Sequence, residues 1–110
     1  MTFVTGPLFA GKKTWVKAFY GWSDGELARR AVWDVQELAG EDAEKLACRL
    51  AAHEVVIATE VGGGVVPADA RLRAQREAAG RLACLLAAQA DCVVRVCCGI
   101  PTVLKGELKR

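Results

Sequence analysis

Short apolar runs and longer stretches of helical periodicity alternate along this chain. Val55–Ala58 and Cys92–Cys98 are apolar runs of the kind found in strands buried on both faces of a parallel sheet. Thr2–Thr5 has the β-type composition of a third strand and stops at a glycine. After a turn at Gly99–Pro101, Thr102–Lys105 is predicted to return as an antiparallel edge strand.

Two helices are predicted between the first strand and residue 40. The first covers Lys12–Tyr20 and ends at Gly21, a residue type common at helix C-termini. The second begins at Ser23, where Glu26 three residues later completes a capping box. Its helical spacing continues to residue 40 and carries four apolar positions: Leu27, Ala31, Val35 and Leu38.

Two further helices are predicted in the second half of the chain. One spans about 42–52, and the longest starts at Ala68 or Asp69 and reaches about Ala90. The core stripe predicted for the longest helix comprises Leu72, Ala79, Ala83, Leu86 and Ala90. Because helices connect successive parallel strands, the element order predicts a small three-layer α/β sandwich. Its mostly parallel sheet is expected to have three or four strands, including the antiparallel edge.

Composition and charge exclude several classes of protein. The chain has 110 residues, 53% hydrophobic and 25% charged, as expected of one folded domain covering residues 1–110. A formal net charge of +2 is too balanced for nucleic-acid binding, which needs a dense basic face. No apolar run is long enough to cross a bilayer, and the first residues do not have the pattern of a secretion leader. We therefore expect a cytoplasmic protein with no membrane and no nucleic-acid partner.

The five cysteines do not predict metal or redox chemistry. They form no CxxC pair, and His53 is the only histidine, so a Cys/His zinc site lacks its usual ligand spacing. We interpret the cysteines as small, buried, reduced thiols. Trp22 directly precedes a predicted helix cap and is expected on the surface, within an interface.

The residues between the first strand and the first helix match most of a phosphate-binding loop. Gly6 to Lys12 has the spacing G-x-x-x-x-G-K, in which backbone N–H groups and a helix N-terminus face an anion. Gly6, Gly11, Lys12, Lys13 and Thr14 are the candidate nucleotide-binding residues, and Lys12 is also a catalytic candidate that neutralises the outer phosphates. Where the motif has a Ser or Thr hydroxyl for Mg²⁺, this chain has Lys13. The alternative is a tight strand-to-helix turn with two surface lysines.

A second glycine-rich segment follows the strand at Val55–Ala58. Ligands of open parallel sheets bind at the carboxyl ends of strands, so Glu60 would place a carboxylate beside the phosphate loop. Glu60 is therefore a candidate catalytic residue that holds a metal or a substrate hydroxyl. Gly62 and Gly64 permit close backbone approach to a substrate or a phosphate. The alternative is an ordinary loop after a buried strand.

Two arginines share one side of the longest helix near its N-terminal end. The guanidinium groups of Arg73 and Arg76 would bind a phosphate or carboxylate of the substrate bidentately. The alternative is a pair of solvated charges on an exposed helix face.

Several motifs follow one another in order along the chain. They are Glu60-Val-Gly-x-Gly-Val-Val-Pro67, Arg73-x-x-Arg76-Glu77-x-x-Gly80, Ala90-Asp91 and Gly99-Ile-Pro101 with Leu104-Lys105, and upstream Thr5-Gly6, Gly11-Lys12 and Trp33-x-x-x-Glu37. This set resembles the bifunctional adenosylcobinamide kinase / adenosylcobinamide-phosphate guanylyltransferase family of cobalamin biosynthesis. The resemblance implies a P-loop-type fold, ATP or GTP and a corrinoid as ligands, and phosphoryl or nucleotidyl transfer. It also implies self-association, here as a homodimer or homotrimer.

The chain departs from that family at positions that carry chemistry. The family chain is longer; there is little room for its second strand before Trp33, and its strand with a metal-binding Asp has no counterpart. The histidine that accepts the guanylyl group would align near Gly25, and His53, expected to be exposed or at a helix end, does not take its place. We therefore expect binding of a purine nucleotide or phosphate, with weak or lost phosphoryl transfer and Mg²⁺ disfavoured. Whether the chain is an enzyme stays open; the alternative is a non-catalytic oligomeric interaction or regulatory module with a relic phosphate loop.

Overall fold

The computed structural model describes residues 1–40, 42–61 and 69–109 and contains a five-stranded sheet covered by helices. The strands are β1 (Thr2–Thr5), β2 (Ala31–Val32), β3 (Val55–Ile57), β4 (Cys92–Cys97) and β5 (Ile100–Lys105). The α-helices are α1 (Lys12–Tyr20), α2 (Asp24–Arg30), α3 (Ala43–Leu50) and α4 (Ala70–Gln89), and Val35–Leu38 forms a short 3-10 helix.

The strands lie in the order β2-β3-β1-β4-β5. The first four are parallel to one another, and β5 runs antiparallel to β4. β1 is central, and its Val4 lies in register with Ile57 on one side and Val94 on the other. The predicted α/β class, with a mostly parallel sheet and an antiparallel edge strand, is confirmed. The sheet has five strands, one more than the upper limit of the three or four predicted.

Successive residues of β1, β3 and β4 face two separate helical layers, because side chains alternate across a sheet. On one face, Phe3, Val56 and Val93 pack against Leu82 and Leu86 of α4, together with α3 and the 3-10 helix. On the other face, α1 and α2 cover a second cluster that includes Val4, Ile57, Val94, Val16 and Leu27. The three-layer arrangement is therefore confirmed.

The prediction of one helix from residue 23 to residue 40 is wrong beyond Arg30. Ser23 caps α2 as predicted, because its hydroxyl accepts a hydrogen bond from the Glu26 N–H at 3.2 Å. The backbone then becomes extended at Ala31 (φ −123°, ψ 160°), and Ala31 and Val32 pair with β3. The outer edge of β3 needs hydrogen-bonding partners, so strand pairing overrides the local helical spacing. Contrary to expectation, there is room for a second strand in this part of the chain.

Only the C-terminal part of α4 enters the core. The helix begins at Ala70, one residue after the predicted start at Ala68 or Asp69, and Asp69 caps it; residues 70–75 are all exposed. Leu72, which the prediction placed in the core stripe, is 53% exposed, whereas Leu82, which it omitted, is 1% exposed. Ala83 is only partly buried. The predicted stripe is therefore wrong at its N-terminal end, because the first turns of α4 extend beyond the packed part of the sheet.

The prediction of buried cysteines holds only for Cys92. The other four thiols are exposed: Cys48, Cys84, Cys97 and Cys98. Two of them lie on the outer faces of α3 and α4, and two lie at the end of β4 and in the turn that follows it. No helix layer covers these positions in the described part of the chain.

Two ring side chains near α2 and α3 pack at helix ends. Trp22 is only 9% exposed, stacks on Tyr20 with ring centroids 4.6 Å apart, and carries the Arg30 guanidinium 4.7 Å from its ring centroid. Trp22 thus belongs to the core, contrary to the surface position predicted for it.

His53 is partly buried just after α3, with Nδ1 3.3 Å from the Leu50 carbonyl oxygen. This is the helix-end position expected for it.

Candidate functional site

The connection from β1 to α1 has a backbone that only glycine tolerates at its first position. Gly6 has φ 152°, and a Cβ atom there would lie 2.1 Å from the Val96 carbonyl oxygen of β4. Gly11 has φ 82° and lies close to Gly99 of the β4–β5 turn, whose N–H donates to the Ala10 carbonyl at 2.9 Å. The loop Gly6–Gly11 is therefore folded against the β4–β5 hairpin.

The loop ends at the N-terminus of α1, where backbone donors are available. Gly11 is the N-cap and contributes no side-chain hydrogen bond. The first intrahelical bond runs from the Trp15 N–H to the Gly11 carbonyl at 2.9 Å. The N–H groups of the residues between them, Lys12, Lys13 and Thr14, have no acceptor within the helix, and they lie at the positive end of its dipole. This end of α1 can attract an anion.

The Lys12 side chain lies inside the loop. Lys12 is only 8% exposed, and its ammonium donates to the Pro7 carbonyl at 2.7 Å and to the Gly6 carbonyl at 3.3 Å. Burial lowers the pKa of Lys12, while the negative charges of Asp34 and Glu60 act in the opposite direction. The alternative of a turn with two surface lysines is therefore wrong for Lys12.

The apolar side chains of the loop lie on its surface. Leu8 is 64% exposed and Phe9, at φ 61°, is 94% exposed, and the side chain that lies inside the loop is that of Lys12. Lys13 is exposed and its ammonium lies 5.0 Å from the centroid of the Trp33 ring, a cation–π contact. Thr14 is exposed on the next position of α1.

Glu60 lies beside the loop, and its carboxylate is paired. Its N–H donates to the Gly6 carbonyl at 2.8 Å, which ties the segment after β3 to the start of the loop. The Arg95 guanidinium of β4 donates from Nε to Oε1 at 2.5 Å and from Nη2 to Oε2 at 3.0 Å. Hydrogen bonds from Arg95 lower the pKa of Glu60, burial opposes this, and the charge of Lys12 adds to the lowering. The sequence analysis missed Arg95, although a lone charge in the apolar run CVVRVC signals a special position.

Asp34 is a second carboxylate near Lys12 that the sequence analysis missed. It follows β2 in the left-handed region (φ 54°) and starts the 3-10 helix without using its side chain as a cap. It is exposed and close enough to Lys12 to influence the pKa of that ammonium. The segment after β2 therefore brings Trp33 to Lys13 and Asp34 to Lys12. No sequence signal identified this, because β2 itself was predicted as helix.

A cavity of about 450 Å³ opens next to the loop on the α4 side of the sheet. Its walls include Leu8 from the loop, Glu60 from the segment after β3, and Leu72 and Arg76 from α4. Arg73 is exposed and lies outside this wall, so the structure places only one of the two predicted arginines at the cavity. Gly62 and Gly64 lie outside the described residues.

The residues around the loop do not fit a resident Mg²⁺ ion. Lys13 stands at the position of the hydroxyl ligand, and the Glu60 carboxylate already binds Arg95. Across residues 1–40, 42–61 and 69–109, no group of three or more His, Cys, Asp or Glu side chains is arranged to hold a metal. Within the same residues, no helix is long and apolar enough to cross a membrane.

Comparison with known families places the chain in a family of cobinamide metabolism. The model of the family described as cobinamide kinase / cobinamide phosphate guanyltransferase matches residues 13–104 of the 110 in the chain. No curated protein matches the sequence. The matched range starts directly after Lys12, so the assignment of the loop as a phosphate site depends on its geometry. Since the match covers most of the sequence, the chain belongs to the cobinamide kinase / cobinamide phosphate guanyltransferase family.

Proposed function

We propose that this chain binds the phosphate groups of ATP or GTP at the loop Gly6–Lys12, in the context of cobinamide metabolism, with weak or lost phosphoryl transfer. The observation that carries the proposal is the buried Lys12 ammonium, held inside a glycine-bounded loop at the N-terminus of α1. In a simple strand-to-helix turn the lysine ammonium would stay in contact with water, because lysine is rarely buried without a partner.

The electrostatics of the loop support an anionic ligand. The donors on α1, its dipole and two successive lysines all present positive charge on the side where the parallel strands end. Lys12 currently donates to two backbone carbonyls, and charge-assisted bonds to phosphate oxygens are stronger than bonds to neutral carbonyls. A nucleotide phosphate therefore competes well for the ammonium.

The same residues give weak support for transfer of the γ-phosphate. In a kinase reaction Lys12 would stabilise the charge that develops on the phosphoryl group, and Glu60 would orient the acceptor hydroxyl. Phosphoryl transfer depends mainly on positioning and on charges such as Mg²⁺. With Lys13 in place of the hydroxyl ligand and Glu60 bound to Arg95, both contributions are reduced.

Guanylyl transfer has less support than phosphoryl transfer. A covalent guanylyl intermediate needs a nucleophile within reach of the nucleotide. His53 is the only histidine and lies two residues before the start of β3, whereas the loop lies beyond the carboxyl ends of the strands. Gly25, which takes the aligned position, has no side chain to contribute.

The cavity beside the loop is the proposed place for the acceptor. Its volume of about 450 Å³ lies within the usual range of small-molecule sites, about 300–1,000 Å³. Leu8 and Leu72 offer apolar contacts, and the polar side chains of Glu60 and Arg76 border the cavity. These features suit a polar side arm of a corrinoid that approaches the loop.

Binding can be tested by thermal unfolding and calorimetry with GTP, ATP and cobinamide. A nucleotide at one hundred times its Kd should stabilise the protein by about 2.7 kcal/mol. The variant Lys12→Ala should lose this stabilisation, whereas the matched control Lys45→Ala, an exposed lysine on α3, should keep it. Absence of any nucleotide effect on the wild-type protein would contradict the proposal. Transfer is then measured with γ-labelled nucleotide and cobinamide.

A second candidate function is an oligomeric interaction module, a homodimer or homotrimer. It is favoured by β5, whose residues are all exposed, with Ile100 at 67% and Leu104 at 58%. Exposed apolar edge strands tend to pair with further strands. Light scattering should show an oligomer that Leu104→Lys dissociates. A wild-type protein that is monomeric at micromolar concentration excludes this function.

A further inference from the structure

Arg95 is a charged residue in the middle of an otherwise apolar strand. Its neighbours on β4, Val94 and Val96, are completely buried. Its Cα is in register with Thr5, the residue that directly precedes the phosphate loop. From this position the guanidinium reaches Glu60, which follows β3 on the other side of β1. The arginine therefore crosses the end of the central strand, next to the loop.

The contact with Arg95 fixes the Glu60 carboxylate. Each of its two oxygens accepts one N–H of the guanidinium, the arrangement that makes Arg–carboxylate pairs geometrically specific. The backbone N–H of Glu60 donates to the Gly6 carbonyl, so both ends of the residue are held. The pair of oxygens that would chelate a metal ion thus faces a cation instead.

The charges around the loop favour the binding of an anion over the binding of a metal cation. Lys12, Lys13 and Arg95 are positive, and Asp34 and Glu60 are negative, which leaves one net positive charge. A divalent cation that binds Glu60 would have to displace a guanidinium from its carboxylate and approach two ammonium groups. A phosphate group meets neither obstacle.

We infer that Arg95 is a positioning residue that holds Glu60 away from metal ions, so that the loop binds phosphate groups without a divalent cation. This inference rests on the proposed function, because it concerns how the same loop holds the nucleotide. It also gives a physical reason for weak phosphoryl transfer: the carboxylate that would orient a metal or a hydroxyl is occupied within the folded chain.

The test is calorimetric titration of GTP into the full chain, once with EDTA and once with excess Mg²⁺. The wild-type protein should bind at least as tightly in EDTA, because Mg²⁺ reduces the charge of the phosphates. Arg95→Leu keeps the apolar stem and frees Glu60, so Mg²⁺ should now tighten binding by about tenfold, near the lower end of usual couplings between two ligands. Arg95→Lys retains the positive charge and should restore metal independence. Adding Glu60→Gln to Arg95→Leu should abolish the gain from Mg²⁺.

Arg49→Leu is the matched control, since Arg49 is an exposed arginine on α3; it should respond to Mg²⁺ as the wild type does. Wild-type binding that requires Mg²⁺ overturns the inference and leaves the proposed function standing. An Arg95→Leu protein with the wild-type response to Mg²⁺ overturns it as well. If that variant does not fold, Glu60→Gln alone decides: a response to Mg²⁺ equal to that of the wild type supports the inference, because Glu60 then holds no metal ion, and a changed response overturns it. No binding in either medium refutes the proposed function itself.

Discussion

Replacing Gly6 by alanine tests whether the loop owes its shape to contact with β4. The new Cβ would lie 2.1 Å from the Val96 carbonyl oxygen, closer than such atoms come in real structures, so the two must separate by about 1 Å. Val96 cannot retreat easily, because β4 is paired with β1 on one side and with β5 on the other. The loop must therefore move. A non-glycine residue at positive φ costs about 1–3 kcal/mol and overpacking costs about 1–3 kcal/mol, so we expect a total loss of about 2–6 kcal/mol.

The assay is urea and thermal unfolding followed by circular dichroism. At about 4–8 °C per kcal/mol for a domain near this size, Tm should fall by at least about 8 °C. Gly80→Ala is the matched control, because a Cβ at Gly80 on α4 meets nothing within 4 Å. It should stabilise the protein by about 0.5–1 kcal/mol, since alanine restricts the unfolded chain and favours the helix. A Gly6→Ala protein as stable as the wild type would refute the reasoning.

Three further predictions concern the core, the thiols and the ion pair beside the loop. Leu82→Ala should cost about 2–5 kcal/mol in urea unfolding, whereas Leu72→Ala, at an exposed position, should change stability by about 0.5 kcal/mol or less. A thiol reagent should label the four exposed cysteines rapidly and Cys92 only on unfolding. Cys92 is buried, and burial raises the pKa of its thiol. Fast reaction of a fifth thiol would contradict this prediction. Arg95 lowers the pKa of Glu60 below its ordinary 4.5, so the stability from this pair is present above pH 4.5 and is lost as pH falls through the lowered pKa. The half-exposed pair should make Arg95→Leu less stable than wild type at pH 7 by about 1 kcal/mol or less, and the difference should vanish near pH 2.

Local signals in the sequence predicted most helices and strands, because residues close in sequence determine where these elements begin and end. Ser23 and Asp69 cap their helices with their own side chains, and Gly21 ends α1 in the left-handed conformation. β2 was not predictable in the same way. Ala31 and Val32 fit the helical spacing of their neighbours and form a strand only because the distant β3 offers an unpaired edge.

The site shows the same division between local and distant causes. The spacing of Gly6 and Lys12 is contained in one short segment, and the sheet order then places Glu60 beside it. The partners of these residues come from elsewhere. Asp34 depends on β2, and Arg95 depends on the register of β4 against β1, which no sequence motif encodes. Charges that modify a site are thus harder to predict than the residues that define it.

The β4–β5 hairpin links the phosphate loop to an exposed surface. Its Val96 carbonyl faces Gly6, its Gly99 N–H bonds to the loop, and its Arg95 holds Glu60. Its outer strand β5 is exposed along its whole length. If copies of the chain associate through β5, the association restrains the same hairpin that shapes the loop. Thermodynamic linkage then requires that nucleotide binding and association change each other's affinity by the same factor. Equal oligomer dissociation constants with and without GTP would show that the hairpin does not couple nucleotide binding at the loop to association through β5.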